Sequence, residues 1–299
     1  MRRHFDDLQL GSIELFVLAG EQGSFTAAAA LAGVTPAAVS RSVARLEERL
    51  GVRLFVRTTR QIRLTDSGRA YFEQCRQALS QLVDAENEVT GQQAAPAGLL
   101  RISVPTPYAH YRLLPRLADF RLRYPQVQVE VHISNRNVDF AEEGYDLAVR
   151  GRAPADSNLV ARKLEDAELV LVAAPDYLRR RGVPATLDAL VQHDCVQFEL
   201  PSTGRLVPWQ FLREGETIEM DAAAAIVCAD DFLGLSSLAL HGAGIAQTYR
   251  FVVERELASG ALVELLPQHG GTTRPFYLIY PHARHLSLRV RSLVDFLLP

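Results

Sequence analysis

A chain of 299 residues, 48% of them hydrophobic, is long enough to bury two or three cores, and its formal charge of −3 hides a strong asymmetry. The stretch from Thr35 to Thr65 holds seven arginines against two glutamates, so the residues outside it sum to a formal charge of about −8. Basic charge confined to one short segment excludes an indiscriminate, evenly basic binder and points to a polyanion met by one face.

The opening residues, MRRHFDDLQLGSIELF, carry two aspartates and lack an apolar h-region, so a secretory signal is not expected. No apolar run approaches the roughly 20 residues a membrane span needs. A cytoplasmic protein with no membrane partner is expected. Leu10, Ile13, Phe16 and Val17 have the spacing of a short amphipathic helix, closed by Gly20 to Gly23. Ser24 can cap a second helix, FTAAAALA, ending at Gly33. A third starts with Thr35 at the N-cap and Pro36 in its first turn, runs to about Leu50 and stops at Gly51. Two short helices joined by a tight turn make a helix-turn-helix. RLFVR and QIRLT, parted by Thr58, Thr59 and Arg60, then read as a small hairpin or wing.

Thr65 and Asp66 begin a long helix. Phe72, Cys75, Leu79, Leu82 and Val89 recur at spacings of three and four, with Glu86 interrupting, and predict a heptad seam that pairs with a second copy of the chain. Packing on its own chain is the alternative, disfavoured because no nearby segment reads as a complement. GQQAAPAG, residues 91–98, has the composition of a hinge. After it, alternating strands (Leu100, Ile102, Val104; Val127, Val129, Val131, Ile133; DLAVR; ELVLVAA; CVQF; AIVC; GIAQT; PFYLIY) interleave with helical stretches such as RLLPRLADFRLRY. That order predicts α/β architecture with largely parallel sheets.

Projected at 100° per residue, the third helix has Val39, Val43, Leu46 and Leu50 on one face, which reads as core. Nearly opposite stand Ala37, Arg41 and Ala44, flanked by Ala38 and Arg45. Small side chains let a helix approach a DNA groove, and arginines one turn apart reach guanine edges or phosphates. Arg53, Arg57, Arg60 and Arg63 add charge on the wing.

The run GSFTAAAALAGVTPAAVSRSVARLEERLGVRLFVRTTRQIRLTDSG resembles the DNA-binding motif of LysR-type transcriptional regulators, and GLLRISVP, YDLAVRG, LHGAGIAQ and the helix after PHARHLS extend the resemblance over essentially the whole chain. The resemblance implies a multidomain fold: an N-terminal all-α winged helix-turn-helix with a long linker helix, then a C-terminal α/β two-lobed regulatory domain resembling periplasmic binding proteins. The expected boundaries are residues 1–65 for DNA binding, 66–91 for the dimerisation helix, 92–98 for the hinge and 99–299 for the regulatory domain. Within the last, one lobe spans about 99–163 and 269–299 and the other about 164–268. It also implies three partners, a double-stranded DNA operator, a small-molecule effector and the chain itself as dimer or tetramer, with no cofactor, no metal and no catalysis. Thr35, Pro36, Ala37, Ala38, Ser40, Arg41 and Arg45 fall on the family's recognition helix, and Arg57, Thr58 and Arg60 on its wing. Many family members carry a polar side chain where this chain has Ala37 or Ala38, so thymine methyl contacts and DNA shape are expected to take a larger share of readout.

In an α/β lobe, ligands sit beyond the C-terminal strand ends, where free N–H groups gather. Those positions here are Ser103, Thr106 and Pro107; Ser134, Asn135 and Arg136; Arg150 and Gly151; and, in the second lobe, Phe198, Pro201, Ser202, Gln247 and Thr248. The resemblance makes them converge as an effector site, and its arginines favour a small anion. Competing chemistry is thinner. His282 and His285 lack a third ligand nearby, Asp230 and Asp231 read as helix caps, and no nucleophile elbow is present. Cys75, Cys195 and Cys228 are too sparse for a disulfide framework, though Cys195 and Cys228 could form a thiol switch. A transport binding protein, or an enzyme fused to a DNA-binding domain, are the other classes to weigh.

Overall fold

Three helices open the chain, α1 (Leu10–Gln22), α2 (Phe25–Ala32) and α3 (Pro36–Leu50), and the last two begin and end where the sequence supplies caps. The computed structural model describes residues 10–57, 62–90, 95–154, 158–282 and 286–298. Ser24 and Thr35 accept the amides of Ala27 and Ala38 through their hydroxyls, each at 3.3 Å. Gly33 and Gly51 sit at φ 65° and 69°, the left-handed conformation that closes a helix and that glycine adopts without strain. The chain divides into two units, residues 1–94 with 139–144, and residues 95–138 with 145–299.

In the first unit Ile13, Phe16, Val17, Ala28, Ala29, Val39, Val43 and Leu46 are buried together. Leu50, expected with them, is 36% exposed: the chain turns at Gly51, and Leu54 and Phe55 fill the core instead. The wing pairs β1 (Phe55–Arg57) antiparallel with β2 (Ile62–Leu64). Its approach is fixed by Glu47, a buried carboxylate whose Oε1 accepts the amides of Leu54 and Phe55 at 2.8 and 3.1 Å. Thr65 then caps α4 (Asp66–Thr90), accepting the Gly68 amide at 2.9 Å and donating to the Arg53 carbonyl at 2.7 Å.

The seam expected along α4 is used differently over its first half. Phe72 and Cys75 are buried in the core of their own unit, with Leu79 packed at its edge. The complement is α1: Gly20 leaves the space that the Phe72 ring takes, since a Cβ there would stand 2.6 Å from Phe72 Cδ2, and Phe16 meets the same ring edge-on at 6.3 Å. Leu82 and Val83, further along, are 48% and 56% exposed. Val89 lies on the helix, with its side chain outside the described set.

The second part of the chain runs β3 (Gly98–Val104), α5 (Thr106–Tyr108), a π-helical turn (Ala109–Leu113), α6 (Leu114–Arg123), β4 (Val127–Ile133), α7 (Phe140–Glu143), β5 (Leu147–Arg150) and the long β6 (Leu159–Ala173). It continues through α8 (Pro175–Arg181), β7 (Cys195–Leu200), β8 (Arg205–Leu206), β9 (Trp209–Arg213), β10 (Glu216–Met220) and β11 (Ala224–Ala229). Last come α9 (Leu233–Leu240), β12 (Ile245–Tyr249), α10 (Arg250–Ser259), β13 (Val263–Leu265), β14 (Thr273–Pro281) and α11 (Leu288–Leu297).

Strand order is β11-β7-β12-β6-β14-β5-β3-β4. The two ends are parallel groups, β11-β7-β12 and β5-β3-β4, one per lobe. The centre is not: β6 and β14 pair antiparallel with each other and with their neighbours, so the sheet is mixed where parallel strands were expected. The physical reason is that these two strands carry the chain between the lobes in opposite directions. β6 also begins before ELVLVAA, because its first half, LVARKLEDA, alternates too weakly to read as a strand.

Candidate functional site

On α3 the face away from the core is exposed at Thr35, Pro36, Ala37, Arg41, Ala44 and Arg45, while Ala38 and Ser40 are half-buried. Arg41 and Arg45 hold no hydrogen bond or ion pair to any other described residue. Their neighbours are engaged: Arg49 donates to the Tyr71 hydroxyl at 3.5 Å and Arg53 pairs with Glu47 at 3.1 Å. Two unneutralised guanidinium groups one turn apart, beside alanines that let the backbone come close, suit a major groove lined with acceptors. Arg63 is exposed on β2, and Arg57 ends β1 opposite Ile62. Thr58 and Arg60 lie outside the described residues.

The strand-end positions of the first lobe form a connected polar cluster. Ser103 is fully buried, and Arg150 reaches it twice, Nη2 donating to Ser103 Oγ at 2.8 Å and Nη1 to its carbonyl at 3.1 Å. The same guanidinium donates to the carbonyls of Val149 and Arg136, so Arg150 ties the ends of β3 and β5 to the loop after β4. Asn135 forms a reciprocal pair with Thr106: its Oδ1 accepts the Thr106 amide at 3.1 Å and its Nδ2 donates to Thr106 Oγ1 at 3.0 Å. Nδ2 also donates to the carbonyl of Asp230 in the opposite lobe. Ser134 Oγ accepts the Arg136 amide at 3.3 Å, Pro107 is buried and Arg136 is exposed.

From the second lobe, Phe198 and Thr248 are buried on one face of the sheet, whereas Gln247 points to the other, exchanging two hydrogen bonds with the backbone of Gln210 at 2.9 and 2.7 Å. Pro201 is half-buried and Ser202 is exposed. Sequence reasoning missed the aromatic wall between the lobes. Phe198 meets Phe232 at 5.1 Å, Phe232 meets Tyr249 at 5.1 Å, Tyr249 meets Phe276 at 5.1 Å, and Phe276 meets Tyr108 of the first lobe at 5.0 Å. These rings lie far apart in sequence; the one available signal was that Tyr249 directly follows Thr248. Burial raises the phenol of Tyr249 and pushes that of Tyr108 up to about 12, as a dry contact requires.

The other candidates settle into structural places. Asp231 Oδ1 accepts the Leu233 amide at 3.0 Å at the start of α9, and Asp230 stands at φ 63°. Cys195 is fully buried, and burial pushes its thiol up to about 11; burial and Asp231 raise Cys228 too. The two sulfurs lie on opposite faces of the sheet, since Cys228 sits beside Phe198 and Cys195 packs in the other core cluster. That placement opposes a disulfide between them. Among the described residues no group of three His, Cys, Asp or Glu side chains could hold a metal ion, and His285 lies outside them.

Residues 10–69 match the model of the bacterial regulatory helix-turn-helix protein, lysR family, and residues 93–299 match that of the LysR substrate binding domain. The chain belongs to the LysR family of transcriptional regulators. Among its relatives are the HTH-type transcriptional regulator CrgA of Neisseria meningitidis serogroup C, 35% identical over 95% of this chain and 94% of that one, and PtxR of Pseudomonas aeruginosa, 36% identical over 96% and 91%. The solved structure of CrgA from Neisseria meningitidis has a TM-score of 0.60 at 33% identity, covering 96% of this chain and 97% of that one. Full-length AphB, the Vibrio cholerae virulence activator, has 0.61 at 28% identity, covering 97% and 98%. As a LysR-type regulator the chain joins a DNA-binding helix-turn-helix to a two-lobed effector-binding domain.

Proposed function

We propose that this LysR-type regulator binds operator DNA through Thr35 to Arg45 of α3 and its wing, including Arg57, Thr58 and Arg60, and that a small anion entering between the lobes alters that binding. The observation that carries the DNA assignment is the pair of unneutralised arginines, Arg41 and Arg45, on an otherwise small-residue face. Support for the cleft comes from Asn135, whose hydrogen bonds join Thr106 of one lobe to Asp230 of the other, with Ser103 and Arg150 beside them.

A ligand that competes for the Thr106 and Asn135 donors must break that bridge, and it shifts DNA binding only by its unequal affinity for the joined and parted arrangements. The protein acts without catalysis in the cytoplasm, as a dimer through α4 or as a tetramer built from such dimers. Residues 1–65, 66–91, 92–98 and 99–299 serve as DNA-binding domain, dimerisation helix, hinge and regulatory domain. Among the described residues no single helix is long and apolar enough to cross a membrane. Footprinting on the promoter DNA next to the gene, with and without small carboxylates, tests the whole reading. A footprint that a carboxylate lengthens or shortens, and that Arg41→Ala abolishes, is the expected result; no protected site would overturn it.

A further inference from the structure

Two hydroxyls lie buried between α1 and α3. Ser42 Oγ donates to Ser12 Oγ at 2.9 Å, and the two residues are 4% and 7% exposed. On the same helices Ile13, Phe16, Val17, Val39, Val43 and Leu46 are buried in one apolar core. Elsewhere that core takes its small side chains from Ala19, Ala28 and Ala29. Alanine at both positions would suit the two helices better and would need no hydroxyl to be stripped of water. A serine pair is therefore a poor way merely to fill this space, and what it adds is direction.

Apolar packing holds two helices together without fixing how far one has slid or rolled on the other. A hydrogen bond between two short side chains does fix it. A slide of about 2 Å, little more than the rise of one helical residue, would stretch this bond out of range. A polar pair in an apolar helix interface sets register in this way, at some cost in stability. Ser42 lies beside Arg41 and one turn before Arg45, the arginines on the exposed face of α3. The seat of α3 on α1 decides where those guanidinium groups stand, and paired contacts with a base edge tolerate displacements of only about 0.5 Å. Further along α3, Glu47 holds the wing and Arg49 meets Tyr71 of α4; Ser42 acts within the stretch that carries the two exposed arginines.

We infer that Ser12 and Ser42 form a register pin, and that Ser42 is a positioning residue for DNA recognition: it sets Arg41 and Arg45 against the base edges without touching DNA itself. This rests on the reading of α3 as the DNA-facing helix. The pin acts on sequence discrimination rather than on the general attraction to phosphate, because charge attraction survives a small shift of the helix whereas paired hydrogen bonds to a base do not.

The test compares full-length Ser42→Ala, Ser12→Ala and the double variant Ser12→Ala/Ser42→Ala with the wild type. The probes are the duplex that the wild type selects from a random pool and a scrambled version of it. Every variant should lose about tenfold in the ratio of the two affinities, while affinity for the scrambled duplex and its salt dependence stay unchanged. The double variant, which strands neither hydroxyl against an alanine, should melt no earlier than the single ones. Discrimination lost without loss of stability is a result that a merely structural role does not give. A double variant that keeps discrimination, or regains it together with stability, would reduce the serines to packing and overturn the inference. So would equal losses on both duplexes, which mark general damage to the unit. Arg41→Ala in the same assay separates the inference from the reading beneath it. If that variant loses the ratio while the double serine variant keeps it, α3 reads DNA without a pin; if neither loses it, α3 is not the reading helix and both fall.

Discussion

Asn135 and Asp230, 95 residues apart, join the two lobes through an amide-to-carbonyl hydrogen bond, and Asp230 makes that bond from a left-handed backbone at φ 63°. A non-glycine residue held there stores strain of order 1–3 kcal/mol. The contact is therefore a strained closure, sustained by the two further bonds between Asn135 and Thr106.

Asn135→Ala removes all three hydrogen bonds and lets Asp230 relax. Stability of the regulatory part should fall by about 1–3 kcal/mol, seen as an earlier calorimetric transition. Operator binding without effector should persist, while the effector-dependent change in footprint is lost. A variant that kept both its stability and its full response would show that the bridge has no part in signalling.

Arg41→Ala and Arg45→Ala should each weaken binding to the operator. Where the guanidinium reads a base, the loss is about 1–3 kcal/mol and confined to specific DNA. Arg57→Ala or Arg63→Ala should instead weaken specific and random DNA alike and lower the slope of log affinity against log salt by about 1. Titrations at three salt concentrations, on operator and on scrambled duplex, separate the two outcomes.

What could be read in advance, and what could not, divides along a physical line. Thr35, Pro36 and Gly51 mark the ends of α3 because capping depends on residues adjacent in the chain, and the structure has those caps where the sequence places them. Periodicity sets Phe72 on a partner-facing seam because its true complement is an absence, the missing side chain of Gly20 some fifty residues earlier, and periodicity does not register a gap. Glu47, one of two adjacent glutamates on α3, carries no local mark of burial. Its burial follows from two backbone amides after the turn at Gly51, which no local pattern announces. In the cleft the polar strand ends were legible from topology, but the rings of Tyr108, Phe232, Tyr249 and Phe276 meet only once the lobes are folded together.

That elbow between α3 and the wing gives a further prediction. Glu47→Ala strands the buried amides of Leu54 and Phe55, which should destabilise the DNA-binding unit by about 2–4 kcal/mol, and Glu47→Gln, able to accept but uncharged, should recover part of it. Gly68→Ala should be at least as damaging, since a Cβ there would stand 2.0 Å from the Leu54 carbonyl oxygen, a backbone atom with little freedom to move. Chemical denaturation followed by far-ultraviolet circular dichroism reads both.

The exposed half of α4 carries the last prediction. Phe72 and Cys75 are occupied within the unit, and Leu79 lies at its edge, so the apolar stripe left for a partner begins at Leu82 and Val83. Aliphatic side chains this open on one helix are unfavourable in a monomer, and burial against a second α4 would recover about 1–2 kcal/mol for each. Leu82→Arg or Val83→Arg should therefore split the dimer by burying an unpaired charge in it, while leaving the unit's own core intact. Sedimentation velocity should show the monomer, and circular dichroism an unchanged melting profile for the helix-turn-helix. Tight binding to a palindromic operator should go with the dimer, because two recognition helices then lose their fixed half-site spacing, while weak binding to a single half-site persists. By contrast Phe72→Arg should unfold the unit itself. If both Leu82→Arg and Val83→Arg sediment as intact dimers, association runs through another surface and α4 is only a spacer.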